Sequence, residues 1–104
     1  MLDISTGKIV RVIALAREFG PEGVHLHDYI SGMNEDEQAS LVAVMWVGRD
    51  SFSADEVTEA VATAKAEATA PTEDYLRGIP ELASYLEDGL EALGVDVTEA
   101  EDKF

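Results

Sequence analysis

A run of seven consecutive apolar residues, Leu41 to Val47, constrains the fold of this chain more than any other feature. Two residues before the run, Asn34 and Glu37, are three positions apart. This spacing is a variant of the capping box that begins helices. The acids at 35–37 also favour the positive end of a helix dipole. The segment therefore predicts a helix over about 35–48 rather than a buried strand. Because this helix is apolar on every face, it predicts that other helices enclose it on more than one side.

The chain before this central helix predicts one helix and one connection. Ser5 suits an N-cap, and apolar residues recur at helical spacing as far as Phe19, with Gly20 and Pro21 as the stop. The connection, residues 20–33, is punctuated by glycine around the sequence VHLHDYI. That centre suits either a turn of helix or an extended segment, so no element is assigned to it.

A third helix is predicted after the central one. Ser53 and Glu56 form an S-x-x-E capping box, so we expect a helix from Ala54 to about Ala70 that ends before Pro71. Its inward stripe consists of small residues, which allow a neighbouring helix to approach closely: Val57, Ala60, Val61, Ala64 and Ala68.

The last third of the chain predicts a short helical turn and a fourth helix. The turn lies at 72–76, and the helix carries Pro80 in its first turn and leucines at the 3.6-residue period up to Gly94. The prediction is thus all-α, a compact four-helix domain with an additional short helical turn. This domain spans residues 1–97, and residues 98–104 form an acidic, frayed tail.

Charge and composition restrict the partners that this chain would bind. It has 22 acidic and 7 basic residues, so its formal net charge is -15. Such a field repels duplex nucleic acid and anionic membranes, and we expect neither as a direct partner. The absence of cysteine excludes a disulfide framework or a thiolate site. We see neither a signal peptide nor a membrane span near the N-terminus, and we expect a cytoplasmic protein.

Two histidines and one aspartate form the only cluster that resembles a metal site. His25, His27 and Asp28 combine imidazole with carboxylate, which suits zinc or another divalent cation. The chain has no further histidine or cysteine to complete such a site. The sequence therefore predicts no cofactor and no catalytic residue, and these three residues are only weak metal candidates.

Four residues are candidates for binding a partner: Arg49, Asp74, Tyr75 and Arg77. Each arginine suits either an ion pair with Asp74 or another carboxylate inside the fold, or a forked anchor for a partner. Trp46, the only tryptophan, lies within the apolar run and is expected in the core.

Several segments together resemble a known family. They are LDIS, AREF, NEDEQ followed by LVA, the Trp46 and Gly48-Arg49 positions, and T-x-D-Y-L-x-G-x-P-x-L-x-x-Y-L-E-D-G-L-x-x-L-G at 72–94. This combination resembles the uncharacterised bacterial family called domain of unknown function 3775. The resemblance implies a small, acidic, all-helical bacterial protein without an agreed activity or agreed catalytic residues.

Three functional hypotheses follow from these features. The leading one is a small, acidic, non-enzymatic module for interaction or regulation. Its partner is an unknown protein or, alternatively, a second copy of the chain in a homo-oligomer. The second is an acidic nucleic-acid mimic that binds a basic DNA-binding protein. The third is a metal-binding or enzymatic protein that uses His25 and His27.

Overall fold

The structure, a computed structural model, describes residues 2–68 and 71–95, and every regular element within these residues is a helix. The elements are α1 (Thr6–Phe19), α2 (Val24–Ser31), α3 (Glu35–Gly48), a 3₁₀ turn (Ala54–Glu56), α4 (Val57–Ala66), α5 (Thr72–Arg77) and α6 (Leu82–Ala92). The predicted all-α class is therefore confirmed. The radius of gyration is 12.2 Å, close to the value of about 13 Å for a compact domain of 100 residues.

Helix α3 lies at the centre of the fold, as its sequence predicts. The Asn34 side chain accepts a hydrogen bond from the Glu37 backbone N–H at 2.8 Å, and the Glu37 carboxylate accepts one from the Asn34 N–H at 3.1 Å. Residues 39–45 are all buried, so the helix is covered on every face over two turns. The cover comes mainly from α6 and α4, and α5 adds a smaller contact.

Helices α3 and α6 approach each other closely because each has a glycine at the contact. A Cβ atom at Gly48 would lie 1.7 Å from the Tyr85 carbonyl oxygen, and one at Gly89 would lie 2.1 Å from the Val44 carbonyl oxygen. Any side chain at either position would therefore collide with backbone. The leucines that α6 turns toward the core are fully buried beside this crossing: Leu82, Leu86 and Leu90.

The unassigned connection at 20–33 contains a helix, α2. Its Leu26 and Ile30, one turn apart, are buried among the core residues, and α2 contacts both α1 and α5. The turn between α1 and α2 places Gly20 at a φ of 81°, a conformation that glycine adopts without strain. Phe19, which the sequence assigns to the inward face of α1, is instead 44% exposed at this corner.

Helix α4 is shorter than the sequence predicts. It is preceded by the 3₁₀ turn at Ala54–Glu56 and ends at Ala66 instead of near Ala70. Pro71 prevents α4 from continuing into α5, because it has no N–H to donate to the Glu67 carbonyl. Residues 69–70 and the tail predicted at 98–104 lie outside the described residues. No helix within the described part of the chain is long and apolar enough to span a membrane.

Candidate binding cleft

A solvent-open cleft of about 200 Å³ lies where α3, α4 and α5 meet. We call it the Trp46 cleft and define it by its lining residues: Val42, Trp46, Ala64, Glu67, Ala68, Thr72 and Tyr75. Most of its lining is apolar, and its walls come from three different parts of the chain.

Local sequence explains how these elements form the cleft. Val42 and Trp46 are four residues apart, so they lie on the same face of α3. Ala64 lies in the last turn of α4, and Ala68 follows the end of that helix. Because α4 ends before Pro71 and α5 begins after it, the helical cover over this face of α3 is interrupted.

The indole ring of Trp46 is held in a defined orientation. Its Nε1–H donates a hydrogen bond to the Tyr75 hydroxyl at 3.0 Å. The ring of Phe52 stacks on the indole with a centroid distance of 5.6 Å and an interplanar angle of 25°. Trp46 packs against the core but is only partly buried. The expectation that it is a core residue therefore holds only in part, since it also forms one wall of the open cleft.

Among the described residues that line the cleft, Glu67 supplies the only charged side chain. The carboxylate belongs to an exposed residue just beyond the end of α4. Lys65, the only basic residue of α4, lies 2.5 Å from the Asp36 carboxylate, and the hydrogen bond to that carboxylate raises the pKa of Lys65 above its usual value. Because Lys65 pairs with Asp36 and does not line the cleft, it does not neutralise Glu67. The charge of the described lining residues is therefore negative.

One of the four predicted partner-binding residues lies in this cleft. Tyr75 is 39% exposed and lines the cleft, and its hydroxyl accepts the hydrogen bond from Trp46. Its neighbour Asp74 points elsewhere, since its Oδ1 lies 3.1 Å from Nε2 of His27. Asp74 thus connects α5 to α2, away from the lining of the cleft.

The two arginine candidates occupy other positions. Arg49 ends α3, and its Nε–H donates to the Ser51 hydroxyl at 3.2 Å. Arg77 is exposed in the last turn of α5. Within residues 2–68 and 71–95 neither forms an ion pair, so the alternative in which they pair with Asp74 or another internal carboxylate is wrong.

The metal candidates lie on α2, where residues two apart point in different directions. The His25 ring contacts Phe19, with centroids 4.8 Å apart. His27 binds Asp74 through Nε2, and its Nδ1 lies 3.9 Å from the Asp28 carboxylate. Among the described residues, no group of three or more histidine, cysteine, aspartate or glutamate side chains is arranged to hold a metal ion.

A zinc titration tests the two imidazoles directly. We expect the ring signals of His25 and His27 in NMR spectra to stay unchanged at stoichiometric zinc, because the helix separates the two rings. Joint movement of both ring signals at one equivalent of zinc would contradict this expectation.

A second, wider depression of about 540 Å³ lies between α1 and α2. Basic and acidic residues both line it, including Arg11, Glu18 and Asp28. The mixed charge gives this surface no clear preference for a cationic or an anionic ligand.

Sequence reasoning missed several residues of the cleft region. The sequence signal for Phe52 is an aromatic residue in a polar stretch, six positions after Trp46. The signal for Ala68 and Thr72 is weaker, because it consists only of small residues on both sides of Pro71. Nothing in the sequence distinguishes Glu67 from the other acids, because its position at the cleft depends on where α4 ends.

Comparison with known proteins identifies the family. A model of the family described as protein of unknown function (DUF3775) matches residues 24–95. The chain belongs to this family. The match runs from the first residue of α2 through α6 and thus includes every residue that lines the Trp46 cleft. No curated protein and no solved structure matches the chain.

Proposed function

We propose that this member of the DUF3775 family is a non-enzymatic interaction or regulatory module that binds a protein partner through the Trp46 cleft. The observation that carries the proposal is a tryptophan fixed by Tyr75 and Phe52 but open to solvent on the side of the cleft. Aromatic side chains that are rigid and partly exposed are enriched where proteins bind each other.

The charge of the chain supports a basic partner. At a net charge of -15, electrostatic attraction accelerates association with a positively charged protein. The same charge opposes association between two copies of the chain. For this reason we favour a different, basic protein over a homo-oligomer.

A second copy of the chain is the alternative partner. Val24 is 71% exposed and Phe19 is 44% exposed at the corner between α1 and α2, so this corner offers an apolar surface to another copy. Screening by salt would then strengthen self-association. Sedimentation equilibrium at low and high salt tests this alternative. A mass that rises with salt in the unmodified chain, but not in Val24→Asp, supports the dimer. A constant monomer mass opposes it.

Site-specific crosslinking tests the binding role of the cleft. A photoreactive benzoylphenylalanine at Glu73, a partly exposed residue that follows the cleft-lining Thr72 but does not itself line the cleft, is compared with the same group at Ala62, which is exposed on α4 and also outside the cleft. In living cells of the source organism we expect a discrete protein adduct from position 73 only, and reconstitution with the purified partner confirms it. Absence of an adduct at 73, or the same adduct at both positions, would contradict the proposal.

The test also separates the cleft from nucleic-acid mimicry. A mimic would bind its basic partner through carboxylates distributed over a broad face, because phosphates are spaced along a duplex. Crosslinks from both positions, together with strong weakening by salt, would favour mimicry. Crosslinks confined to position 73 favour the cleft.

A further inference from the structure

We propose that the Trp46 cleft holds one arginine side chain from a basic segment of the partner protein. This inference rests on the proposed function and specifies the chemistry that the cleft recognises. The guanidinium would lie over the indole of Trp46 and pair with the carboxylate of Glu67, and the aliphatic part of the side chain would contact the apolar walls.

The volume of the cleft indicates a single side chain. About 200 Å³ is less than the roughly 300–1,000 Å³ of pockets for drug-sized ligands. Cofactors of that size or larger therefore do not fit. A long, unbranched stem suits the apolar walls, which Val42, Ala64 and Ala68 provide.

The aromatic wall favours a cation. The Nε1–H of Trp46 is already bonded to Tyr75, so the indole offers the cleft its π surface rather than its donor. Phe52 covers one side of the ring but does not line the cleft, which leaves the cleft in contact with the remaining indole surface. A cation close to a tryptophan face is attracted by the ring quadrupole, and tryptophan is the strongest partner for this contact.

The charge at the cleft fits the same ligand. Glu67 carries the only charged side chain among the described lining residues, and a carboxylate accepts two parallel hydrogen bonds from a guanidinium. Lysine would provide one point charge without the planar group that stacks on an aromatic ring. Arginine therefore satisfies the aromatic wall and the carboxylate together.

Flanking basic residues of the partner would be attracted by the net negative charge of the chain. The second half of the chain, residues 51–104, carries 14 acids and 3 bases, and it supplies Glu67, Thr72 and Tyr75 to the cleft. A segment with one arginine between lysines would thus combine insertion at the centre with screened attraction at the edges.

Two synthetic heptapeptides test the insertion. Both carry lysines on each side of a central residue, which is arginine in one peptide and citrulline, its uncharged isostere, in the other. Trp46 is the only tryptophan of the chain, so its fluorescence reports binding at the cleft, with calorimetry as a second measurement. We expect the arginine peptide to bind about tenfold more tightly, because it alone makes the cation–π contact and the ion pair.

Matched variants locate the bound arginine. Ala68→Leu fills the cleft and should weaken the arginine peptide about tenfold, whereas Ala62→Leu, outside the cleft, should not. Glu67→Gln should weaken it by about threefold to tenfold, and Glu59→Gln, the same charge change at an exposed position of α4, should cost only the smaller, salt-screened part. Glu59 and Ala62 lie within α4, and Glu67 and Ala68 follow its end. All four residues are exposed, so thermal unfolding should confirm that the variants fold normally.

The outcomes separate this inference from the proposed function. If the two peptides bind equally, or if Ala68→Leu binds like Ala62→Leu, arginine does not enter the cleft and the inference fails, although crosslinking at position 73 would still support a protein-binding role. If neither peptide binds, the inference fails in the same way. If a crosslinked partner binds Ala68→Leu and Glu67→Gln more weakly than their controls Ala62→Leu and Glu59→Gln, both proposals are supported.

Discussion

Replacing Gly48 with alanine tests the close crossing of α3 and α6 on which the core depends. The added Cβ would lie 1.7 Å from the Tyr85 carbonyl oxygen, whereas ordinary van der Waals contact begins at 3.4 Å. The two helices must therefore separate by more than 1 Å. In an open helix the same substitution stabilises by about 0.5–1 kcal/mol. The structure predicts the opposite sign.

The size of the loss follows from what the separation disturbs. Overpacking of a core costs about 1–3 kcal/mol, occasionally more. Here the obstacle is backbone, and the fully buried Leu86 and Leu90 lie next to the displaced residues Tyr85 and Gly89. We therefore expect Gly48→Ala to lower the free energy of unfolding by about 3 kcal/mol. For a domain of this size that corresponds to a fall in Tm of roughly 12–24 °C.

Gly32→Ala provides the matched control. Gly32 ends α2 with a φ of -79°, and a Cβ there would meet nothing closer than the Asp28 carbonyl oxygen at 3.6 Å. We expect this variant to be unchanged or more stable by up to about 1 kcal/mol. Urea and thermal unfolding followed by circular dichroism compare the two. Equal stability of the two variants would refute the close approach of α3 and α6.

Three further predictions concern the helix cap and the cleft. Asn34→Ala should lower the free energy of unfolding in urea by about 1 kcal/mol, because the Glu37 N–H loses its acceptor; an unchanged value would contradict the capping box. The ammonium of Lys8 and the N–H of Asn34 hold the pKa of Glu37 below its ordinary 4.5. The ionised carboxylate therefore stabilises the fold above pH 4.5, and this stabilisation is lost as the pH falls through the lower pKa of the folded state. Denaturation at pH 7 and pH 3 should therefore show a smaller difference in Glu37→Gln than in the parent chain. Tyr75→Phe removes the acceptor of the Trp46 indole N–H and should cost about 0.5–1.5 kcal/mol with a shift in tryptophan emission; identical emission would oppose that hydrogen bond.

Local sequence signals were sufficient for α3 and its cap. The Asn34 and Glu37 side chains and backbone groups meet within one turn, so their spacing alone determines the hydrogen bonds. The burial of α3 on every face also follows directly from the unbroken apolar run. Predictions of this kind succeed because the interacting groups are close in sequence.

Helix α2 shows where local signals become too weak. It has eight residues, of which Leu26 and Ile30 are buried, and a single i, i+4 pair does not distinguish a helical period from chance. Its contacts with α1 and α5 stabilise it. Short helices depend on tertiary packing because isolated turns are unstable in water. The same dependence explains why the sequence did not place His27 beside Asp74.

The exposure of Trp46 has its origin in the end of α4. A helix that is apolar on every face needs cover along its whole length, and the sequence predicts such cover from a continuous helix to about Ala70. The chain instead ends α4 at Ala66 and begins α5 at Thr72, on the two sides of Pro71. Trp46 faces this interruption, where Ala68 and Thr72 are too small to cover an indole. The helix end that made the sequence-based boundary wrong is thus the feature that opens an aromatic cleft in an otherwise covered face of α3.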